Sequence, residues 1–370
     1  MLVTHIIPSL EIGGAEKTLI KLIKNDKKNT HIIICLLREG SMSYQAKTIG
    51  AMVYSLGLKN FLNLPVSIFK AINIIKSSKP DVLVTWMYHS DLIGGIIGFI
   101  LRIKVIWNIR NTDAISARGK FNKTYLLMKI CAALSYLLPH KIICVAKAAK
   151  NQHISYGYDG DKILVIPNGY EFDDIQEIKQ ESIRSIYHIP IENNLIGSVG
   201  RFSRFKDHQN LINTAEIMLQ ENTKLSFMLV GENINEDNHE LTSMIEKTGY
   251  RNNFILIGEV ESLKPYFNAF DIFCLHSKSE GFPNVLVEAI IYNCLCVTTD
   301  CGDAAEIMND NRFVAEISNP LDLASKLKYA LNLKSDEIYN IKFKLRSKIQ
   351  SSFNMESFIK RYNDVYESVK

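Results

Sequence analysis

The chain has 370 residues, of which 47% are hydrophobic and 22% are charged, an ordinary composition for a soluble globular protein that predicts two domains. The amino-terminal residues lack the basic leader and cleavage site of a secretory signal. The longest apolar run, Leu92–Leu101, is about half the length that a membrane-spanning helix needs. We therefore expect a cytoplasmic protein whose contact with a membrane is at most peripheral.

Charge is distributed unevenly along the chain, whose net charge is +4. Residues 1–170 carry 22 Lys and Arg against 9 Asp and Glu, whereas residues 171–370 carry 21 against 30. The excess of basic residues in the first half suggests that this half faces an anionic partner, which could be nucleic acid, an anionic lipid surface or a phosphorylated acceptor. Surface lysines that serve solubility are the alternative.

The first half alternates short β-branched runs with amphipathic stretches. Strands are predicted at Leu2–Ile7, His31–Leu36, Val53–Leu56, Val82–Trp86, Val105–Ile109, Ile142–Val145 and Ile163–Ile166. Stretches with helical periodicity lie between them and include Glu16–Lys24, Pro65–Ser77 and Lys123–Leu137. This alternation predicts parallel β-α-β crossovers and a doubly wound α/β sheet.

A turn at Pro167-Asn168-Gly169 and the acidic stretch after it predict a linker over residues 171–192. A second alternation follows, with strands predicted at Leu195–Val199, Leu225–Val230, Phe254–Ile257, Ile272–Leu275 and Cys296–Thr299. The predicted domains are therefore residues 1–170 and 193–351. The last amphipathic stretch, residues 352–370, is separate from the preceding helices and could pack back across the linker.

Metal ligands in a recognisable pattern are absent from the sequence. The seven cysteines lie mostly in apolar runs, so we interpret them as small buried residues in a reducing compartment. Cys294, Cys296 and Cys301 are close in sequence, but Cys-x-Cys lacks the spacing and the second ligand pair of a zinc site. Asp159-Gly160-Asp161 precedes a predicted strand and is interpreted as a turn. We predict no metal.

Ligands of parallel α/β sheets bind beyond the carboxyl ends of the strands. Gly13 and Gly14 follow the first predicted strand and allow a phosphate or sugar to approach the backbone, although a tight turn is the alternative. Gly200, Arg201 and Lys206 follow the strand at Leu195–Val199, and their two cations could balance a diphosphate. The alternative is a basic loop before a helix that begins near residue 209, with Asp207 as its cap.

The segment after the predicted strand Ile272–Leu275 is the most informative. Pro283 suits a first helical turn, and we expect unpaired N–H groups near Asn284, Val285 and Leu286, which would form an anion site. Glu280 could accept hydrogen bonds from sugar hydroxyls, and Glu288 could hold a ribose diol. Alternatively, Glu280 is a partner of the helix dipole and Glu288 a solvated residue.

The motifs Gly13–Glu16, Asn168-Gly169, Gly200-Arg201 with Lys206, and Glu280-x7-Glu288 resemble, in order and spacing, those of family 4 of the retaining glycosyltransferases. The resemblance covers nearly the whole chain. It implies the GT-B fold, in which two Rossmann-like domains face each other across a cleft and the last helix returns to the N-terminal domain. The N-terminal domain would bind the acceptor, and the C-terminal domain would bind a nucleotide-diphosphate sugar, with uridine favoured over guanosine.

The resemblance also implies roles for individual residues. Arg201 and Lys206 would bind the diphosphate, Glu280 the transferred sugar and Glu288 the ribose. The implied donor-binding set combines the glycine loops, the nucleobase side and the segment around the helix start: Gly13, Gly14, Gly200, Gly231, Val260, Gly281, Phe282, Pro283, Asn284, Val285, Leu286 and Glu288. Neither a metal nor another cofactor is implied.

One family motif is missing. Many members carry His-Gly after the strand that corresponds to Val105–Ile109, where this chain has Arg110-Asn111. Arg110 could contact donor or acceptor, and His89, after another strand, is either catalytic or structural. In retaining transfer the leaving diphosphate oxygen can accept the proton itself, so no side-chain base is required. The candidate catalytic residues are Glu280, Arg201, Lys206, His89 and Arg110.

Basic residues surround the apolar stretch Tyr125–Leu138, namely Lys104, Arg118, Lys120, Lys123 and Lys129. This pattern is typical of contact with an anionic membrane leaflet, although a core helix is the alternative. We hypothesise a lipid-linked glycan acceptor, as in bacterial O-antigen or capsule assembly, and expect no nucleic acid. A sugar-nucleotide 2-epimerase of similar architecture is the alternative function. A nicotinamide dehydrogenase would need Gly-x-Gly-x-x-Gly, which is absent.

Overall fold

The computed structural model describes residues 1–58, 63–111, 123–172 and 181–370. They divide into two compact units, of which the first is Met1–Gly169 with Met355–Lys370 and the second is Tyr170–Asn354. The described part of the predicted linker, residues 171–172 and 181–192, belongs to the second unit. Residues 173–180 of that linker lie outside the described ranges.

A parallel sheet forms the centre of the first unit. Its described strands are β1 (Leu2–Ile7), β2 (Thr30–Cys35), β3 (Met52–Ser55), β4 (Val82–Trp86), β5 (Lys104–Ile109), β6 (Lys141–Cys144) and β7 (Ile163–Val165). They pair in the order β3-β2-β1-β4-β5-β6-β7, and every pairing is parallel. The strand β4 is buried along its whole length, as expected for a sheet that helices cover on both faces.

Helices connect these strands, and the first of them has a clear apolar face. They are α1 (Gly14–Asn25), α2 (Ser43–Thr48), α3 (Leu64–Ser78), α4 (Met87–Leu101), α5 (Lys123–Leu134) and α6 (Lys147–Ser155). In α1, Leu19, Leu22 and Ile23 are buried, whereas Lys17 and Lys21 are exposed. This spacing is that of an amphipathic helix that rests on a sheet.

The longest apolar run of the sequence is part of α4, which packs closely on the sheet. A Cβ atom on Gly94 would lie 2.4 Å from Thr85 Cγ2, and one on Gly98 would lie 2.2 Å from Val105 Cγ2. Both glycines therefore allow the helix axis to approach β4 and β5. Over the four described ranges of the chain, no helix has both the length and the apolar character required to cross a bilayer.

The second unit repeats the same architecture. Its described strands are β8 (Asn194–Val199), β9 (Leu225–Val230), β10 (Phe254–Leu256), β11 (Ile272–Leu275), β12 (Leu295–Thr299) and β13 (Val314–Ala315). Their order is β10-β9-β8-β11-β12-β13, again with parallel pairing. The helices are α7 (Glu181–Ile186), α8 (His208–Glu221), α9 (His239–Glu246), α10 (Lys264–Ala269), α11 (Asn284–Ile291), α12 (Ala304–Met308), α13 (Pro320–Leu331) and α14 (Ser335–Phe353).

The last helix, α15 (Met355–Val369), belongs to the first unit. Its buried residues Phe358, Tyr362 and Tyr366 join the hydrophobic core of that unit, and the amide of Asn108 in β5 donates a hydrogen bond to the Tyr362 hydroxyl at 2.8 Å. The helix begins three residues later than predicted because Asn354 is extended and separates it from α14. The doubly wound α/β class and the returning helix are confirmed.

Candidate active site

Each sheet has one position where consecutive connections leave in opposite directions. In the first unit this switch point lies between β1 and β4, and in the second it lies between β8 and β11. Ligands of open parallel sheets bind at such positions because the flanking loops diverge and leave a crevice. The predicted site residues follow these strands or their direct neighbours, except Val260, which follows β10.

Lys206 and Glu280 form an ion pair at the switch point of the second unit. Lys206 follows β8 and Glu280 follows β11, and the Lys206 ammonium lies 2.6 Å from Glu280 Oε1. The same oxygen accepts a hydrogen bond from the Ser277 hydroxyl, also at 2.6 Å. Both charged side chains are mostly buried, with 18% and 13% of their surfaces exposed. Burial strengthens the attraction, and the remaining exposure leaves the pair within reach of a ligand.

Glycines bring the loops around this pair close together. Gly231, after β9, has a φ of +149°, and a Cβ atom there would lie 2.3 Å from the carbonyl oxygen of Gly200. Its own N–H donates to the carbonyl of Gly258 at 2.8 Å. A Cβ atom on Gly302 would lie 2.9 Å from the Glu280 carbonyl oxygen. The loops that follow β8 to β12 therefore form a connected edge in which a larger residue would displace backbone.

His276 also belongs to this edge, and the sequence analysis did not identify it. Its Nδ1 lies 3.2 Å from the Asp207 carbonyl, which can only accept, so Nδ1 carries the proton. Its Nε2 then accepts a hydrogen bond from the Ser198 hydroxyl at 2.7 Å. Burial, with a contribution from the positive charge of Lys206, lowers the pKa of His276 to about 4. A neutral imidazole thus ties β8 to the loop that carries Lys206.

The prediction that the Asp207 side chain caps the helix after β8 was wrong. Asp207 precedes α8 in a left-handed conformation, and its side chain does not cap the helix. Its carboxylate instead accepts a hydrogen bond from Ser318 at 2.8 Å and pairs with Lys278 at 3.1 Å.

The start of α11 differs from the predicted anion site. The N–H of Asn284 donates to the Phe282 carbonyl at 2.8 Å, and that of Leu286 donates to the Pro283 carbonyl at 3.0 Å. These two groups are therefore already paired, because a turn over residues 282–284 precedes the helix and Pro283 lies just before its first residue. Any contact that this segment makes with a phosphate must use other groups.

The remaining candidates of the second unit lie at the same edge. The backbone of Arg201 adjoins Gly231, and the side chain of Arg201 is exposed. Glu288 is half-buried in α11, one turn after the helix begins, and Val260 is half-buried in the loop after β10. Gly281 and Val285 are half-buried, whereas Phe282 is buried against Phe353.

The first unit brings Arg110 together with the loop at Gly14. The Arg110 guanidinium, after β5, donates hydrogen bonds to Asn168 Oδ1 and, at 3.4 Å, to the Thr18 hydroxyl. Thr18 in turn donates to the Gly14 carbonyl at 2.8 Å. The Arg110 guanidinium carbon lies 5.8 Å from the centre of the Trp86 ring. Arg110 thus meets the motifs at Gly14 and at Asn168 at one sheet edge, although Thr18 and Asn168 are 150 residues apart in sequence.

His89 is placed differently from Arg110. It lies in the first turn of α4 with an exposed side chain. Within the described residues, no side-chain hydrogen bond links it to Arg110 or to Asn168. His89 lies near the switch point because α4 directly follows β4. Among the described residues, neither Arg110 nor Asn168 orients its imidazole as a base.

Cysteine and carboxylate side chains do not assemble into a cluster in the described ranges. All seven cysteines are buried free thiols, and no group of three His, Cys, Asp or Glu side chains among the described residues has the arrangement of a metal site. Burial raises the pKa of Cys294 to about 12, against the opposing effect of the positive charge of Lys342, which agrees with its interpretation as a small core residue.

The chain matches two family models that together cover most of its length. Residues 12–174 match the model described as Glycosyltransferase Family 4, and residues 179–348 match the model described as Glycosyl transferases group 1. The first match covers the unit with Arg110, and the second covers the unit with Lys206 and Glu280.

Relatives and solved structures agree with these matches. The chain is 26% identical over 351 residues to the capsular polysaccharide biosynthesis glycosyltransferase CapH of Staphylococcus aureus, covering 91% of this chain and 93% of that protein. It is 29% identical over 183 residues, 48% of each chain, to an N-acetylgalactosaminyltransferase of Campylobacter jejuni whose name specifies a diphospho-undecaprenol-linked acceptor. The crystal structure of Anabaena HepE in complex with UDP superimposes over 100% of both chains with a TM-score of 0.86 and 18% identity.

The buried, neutral His276, which bridges Ser198 and the Asp207 carbonyl, predicts a specific loss of stability at acidic pH. A histidine whose pKa is about 4 when folded and about 6.5 when unfolded stabilises the fold fully above pH 6.5, and this stabilisation is lost as the pH falls toward 4. When the pH is lowered from about 7.5 to about 5, the free energy of unfolding of the wild-type protein should fall by about 2 kcal/mol more than that of His276→Asn. Urea unfolding at both pH values measures this difference. Asparagine retains a donor near the position of Nδ1 but does not titrate.

The matched control is His239→Asn, which replaces an exposed histidine of the same unit and should keep the wild-type pH dependence. Equal acid sensitivity of wild type and His276→Asn would mean that the imidazole does not titrate as inferred.

Proposed function

Because this chain belongs to family 4 of the glycosyltransferases, we propose that it is a retaining enzyme that transfers a hexose or N-acetylhexosamine from a UDP-sugar to a glycan acceptor. The observation that carries the proposal is the Lys206–Glu280 pair at the switch point of the second unit. It offers a cation for a leaving diphosphate and a carboxylate for sugar hydroxyls within 2.6 Å of each other.

Several features support a nucleoside diphosphate as the leaving group. Arg201 is an exposed cation on the loop that also carries Lys206, and two cations can balance the charge that a diphosphate gains when the glycosidic bond breaks. Glu288, one turn into α11, is the carboxylate proposed to hold the ribose. The structural neighbour HepE was crystallised with UDP and also with UDP-glucose, which favours uridine.

The chemistry proposed for this site needs alignment more than a side-chain base. The bond between the anomeric carbon and the diphosphate oxygen breaks, the acceptor oxygen attacks from the same face, and the acceptor proton passes to the departing diphosphate oxygen. Lys206 and Arg201 lower the energy of the negative charge that develops on this oxygen. Glu280 positions the sugar, and Arg110, held by Asn168 and Thr18 in the first unit, is a third positive group for donor or acceptor. No metal is required in this scheme.

The names of the relatives support a surface-polysaccharide acceptor. CapH is described as a capsule biosynthesis enzyme, and the name of the Campylobacter enzyme specifies a glycan linked through diphosphate to undecaprenol. We propose that the acceptor of this chain is likewise a lipid-linked glycan, which would be reached at the inner face of the cytoplasmic membrane.

The surface of the first unit supports a peripheral contact with that membrane. The neighbouring helices α4 and α5 pack together, and both expose large apolar side chains. Phe99 and Ile100 of α4 are 57% and 60% exposed, and Leu126 of α5 is 64% exposed. Lys104 and Lys123 lie nearby in sequence and are exposed, whereas Arg118 and Lys120 of the predicted basic cluster lie outside the described residues. Exposed apolar and basic side chains together favour an anionic lipid surface.

Acceptor dependence tests the proposed reaction. Purified protein incubated with a panel of nucleotide sugars should release nucleoside diphosphate only when a lipid-linked or soluble glycan acceptor is present, at a rate that EDTA does not change. Proton NMR of the product should show the anomeric configuration of the donor. Conversion of the donor sugar without acceptor would favour the 2-epimerase alternative, inversion would exclude the retaining scheme, and loss of activity in EDTA would contradict metal independence.

Variants of the second unit should separate binding from chemistry. Glu288→Ala should weaken the protection that a nucleotide sugar gives against thermal unfolding, because it removes the proposed ribose contact. Lys206→Ala should lower kcat by about 100-fold, as expected when a cation that stabilises developing charge is lost. Glu246→Ala and Lys224→Ala, which replace exposed residues of the same unit, are the matched controls. Unchanged protection in Glu288→Ala or unchanged kcat in Lys206→Ala would refute the respective role.

Vesicle binding tests the membrane contact. At low ionic strength the protein should co-sediment with vesicles that contain phosphatidylglycerol and dissociate at high salt, because surface charge attraction is screened. Leu126→Ser should weaken binding several-fold by removing apolar surface. Phe343→Ser, which removes an apolar side chain 62% exposed on the second unit, should leave it unchanged. Binding that is absent from wild type, or equally affected by both variants, would exclude this surface.

A further inference from the structure

A chain of buried polar side chains crosses the sheet of the first unit beneath Arg110. The Trp86 indole N–H, at the end of β4, donates to His5 Nδ1 in β1 at 3.2 Å. His5 Nε2 lies 3.0 Å from His31 Nδ1 in β2, and His31 Nε2 lies 3.3 Å from Asp26 Oδ2. All four residues are at most 4% exposed. This row of polar side chains thus joins the strands on both sides of the switch point.

The chemistry of the first donor fixes the direction of every hydrogen bond in this chain. An indole N–H can only donate, so His5 Nδ1 must accept, and the proton of the neutral imidazole lies on Nε2. His5 Nε2 therefore donates to His31 Nδ1, which leaves the His31 proton on Nε2, the ring nitrogen that lies 3.3 Å from Asp26 Oδ2. Burial lowers the pKa of His5 well below its ordinary value, which agrees with a neutral ring.

The far end of the chain is a buried negative charge. Burial alone would raise the pKa of Asp26, but hydrogen bonds from His31, Asn29 and the backbone of Lys28 hold it well below its ordinary value. A buried carboxylate costs free energy, and apolar residues of similar volume often stabilise a core as well or better. Stability alone therefore does not explain why these polar side chains are buried. Their hydrogen bonds do fix the orientation of one side chain.

That side chain is Trp86, and its ring faces the cation of the candidate site. The Arg110 guanidinium carbon lies 5.8 Å from the ring centre, within the range of an attractive cation–π contact. Donation from the indole N–H into a chain that ends in a carboxylate increases the electron density of the ring and so strengthens this attraction. The Asn168 and Thr18 side chains accept hydrogen bonds from the Arg110 guanidinium, and the Trp86 ring adds the cation–π contact.

We propose that Trp86 is a positioning residue for Arg110, and that the buried chain through His5 and His31 to Asp26 holds its ring in the orientation that Arg110 requires. The role of Arg110 in turnover rests on the proposed function. The contact between Trp86 and Arg110 does not, and it can be tested without substrate.

The first test needs only fluorescence. The chain contains two tryptophans, so Trp107→Phe leaves Trp86 as the sole tryptophan. In that background Arg110→Gln should change the emission of Trp86, because it removes the cation above the ring, and His5→Leu should also change it, because it removes the acceptor of the N–H. Unchanged emission in both variants would overturn the proposal, whether or not the protein transfers a sugar.

The second test measures transfer and has a matched control. Trp86→Phe keeps an aromatic ring but removes the N–H, and should lower kcat/KM about tenfold, a change of the size expected for one lost buried hydrogen bond. Trp107→Phe makes the same substitution on the neighbouring strand β5, also at a fully buried position. It should lower thermal stability comparably but leave kcat/KM within about twofold of wild type, since a buried substitution away from the site acts mainly on stability. An equal loss of activity in both variants would mean that Trp86 acts only through the core.

A double-mutant cycle decides whether Trp86 acts through Arg110. Arg110→Lys keeps the charge but loses the planar guanidinium. If Trp86 positions Arg110, adding Trp86→Phe to Arg110→Lys should lower kcat/KM by less than about twofold, because the interaction is already lost. A full tenfold loss in the Arg110→Lys background would refute the positioning role. Absence of transfer in wild type would instead refute the proposed function and leave the fluorescence result to decide the contact.

Discussion

The common direction of the strands is the constraint on which both units depend. Because every pairing is parallel, all loops that leave carboxyl ends emerge at the same edge of a sheet, and the helices must return along its faces. Where the winding reverses, two such loops diverge and leave space. In the second unit this brings Lys206 and Glu280, which are 74 residues apart, to within 2.6 Å. The ion pair is therefore a product of topology.

Buried histidines organise both edges, but they do so differently. In the second unit, His276 links a strand hydroxyl to a backbone carbonyl and so fixes the loop that carries Lys206. In the first unit, His5 and His31 extend a hydrogen-bonded chain from a carboxylate to the tryptophan beneath Arg110. Both arrangements require neutral imidazoles with one assigned tautomer. Polar groups of this kind are costly to bury unless each is satisfied, and when satisfied they favour one conformation over its neighbours.

The agreement between sequence and structure is closest where a residue pattern has a local physical cause. The strands Leu2–Ile7, Val82–Trp86, Leu225–Val230 and Ile272–Leu275 were predicted with the observed bounds, because short, mostly apolar runs that are too short for a buried helix favour a buried strand. The helix α4 was not predicted as such, since its glycines weaken a helical pattern and are explained only by the strands against which they pack. The short strand β13 has too few residues to produce a pattern.

The sequence alone determined the α/β class, the family resemblance, the positions of Arg110, Arg201, Lys206 and Glu280 after strands, and that of Glu288 in the following helix, because periodicity and motif spacing are local properties of the chain. Tertiary structure decided which of these residues meet. It paired Lys206 with Glu280 and turned the Asp207 side chain away from its helix. It also identified His276 and Trp86, whose importance lies in partners from distant strands. Hydrogen-bond geometry between residues far apart in sequence has no signature in a single sequence, since only the folded sheet brings those atoms together.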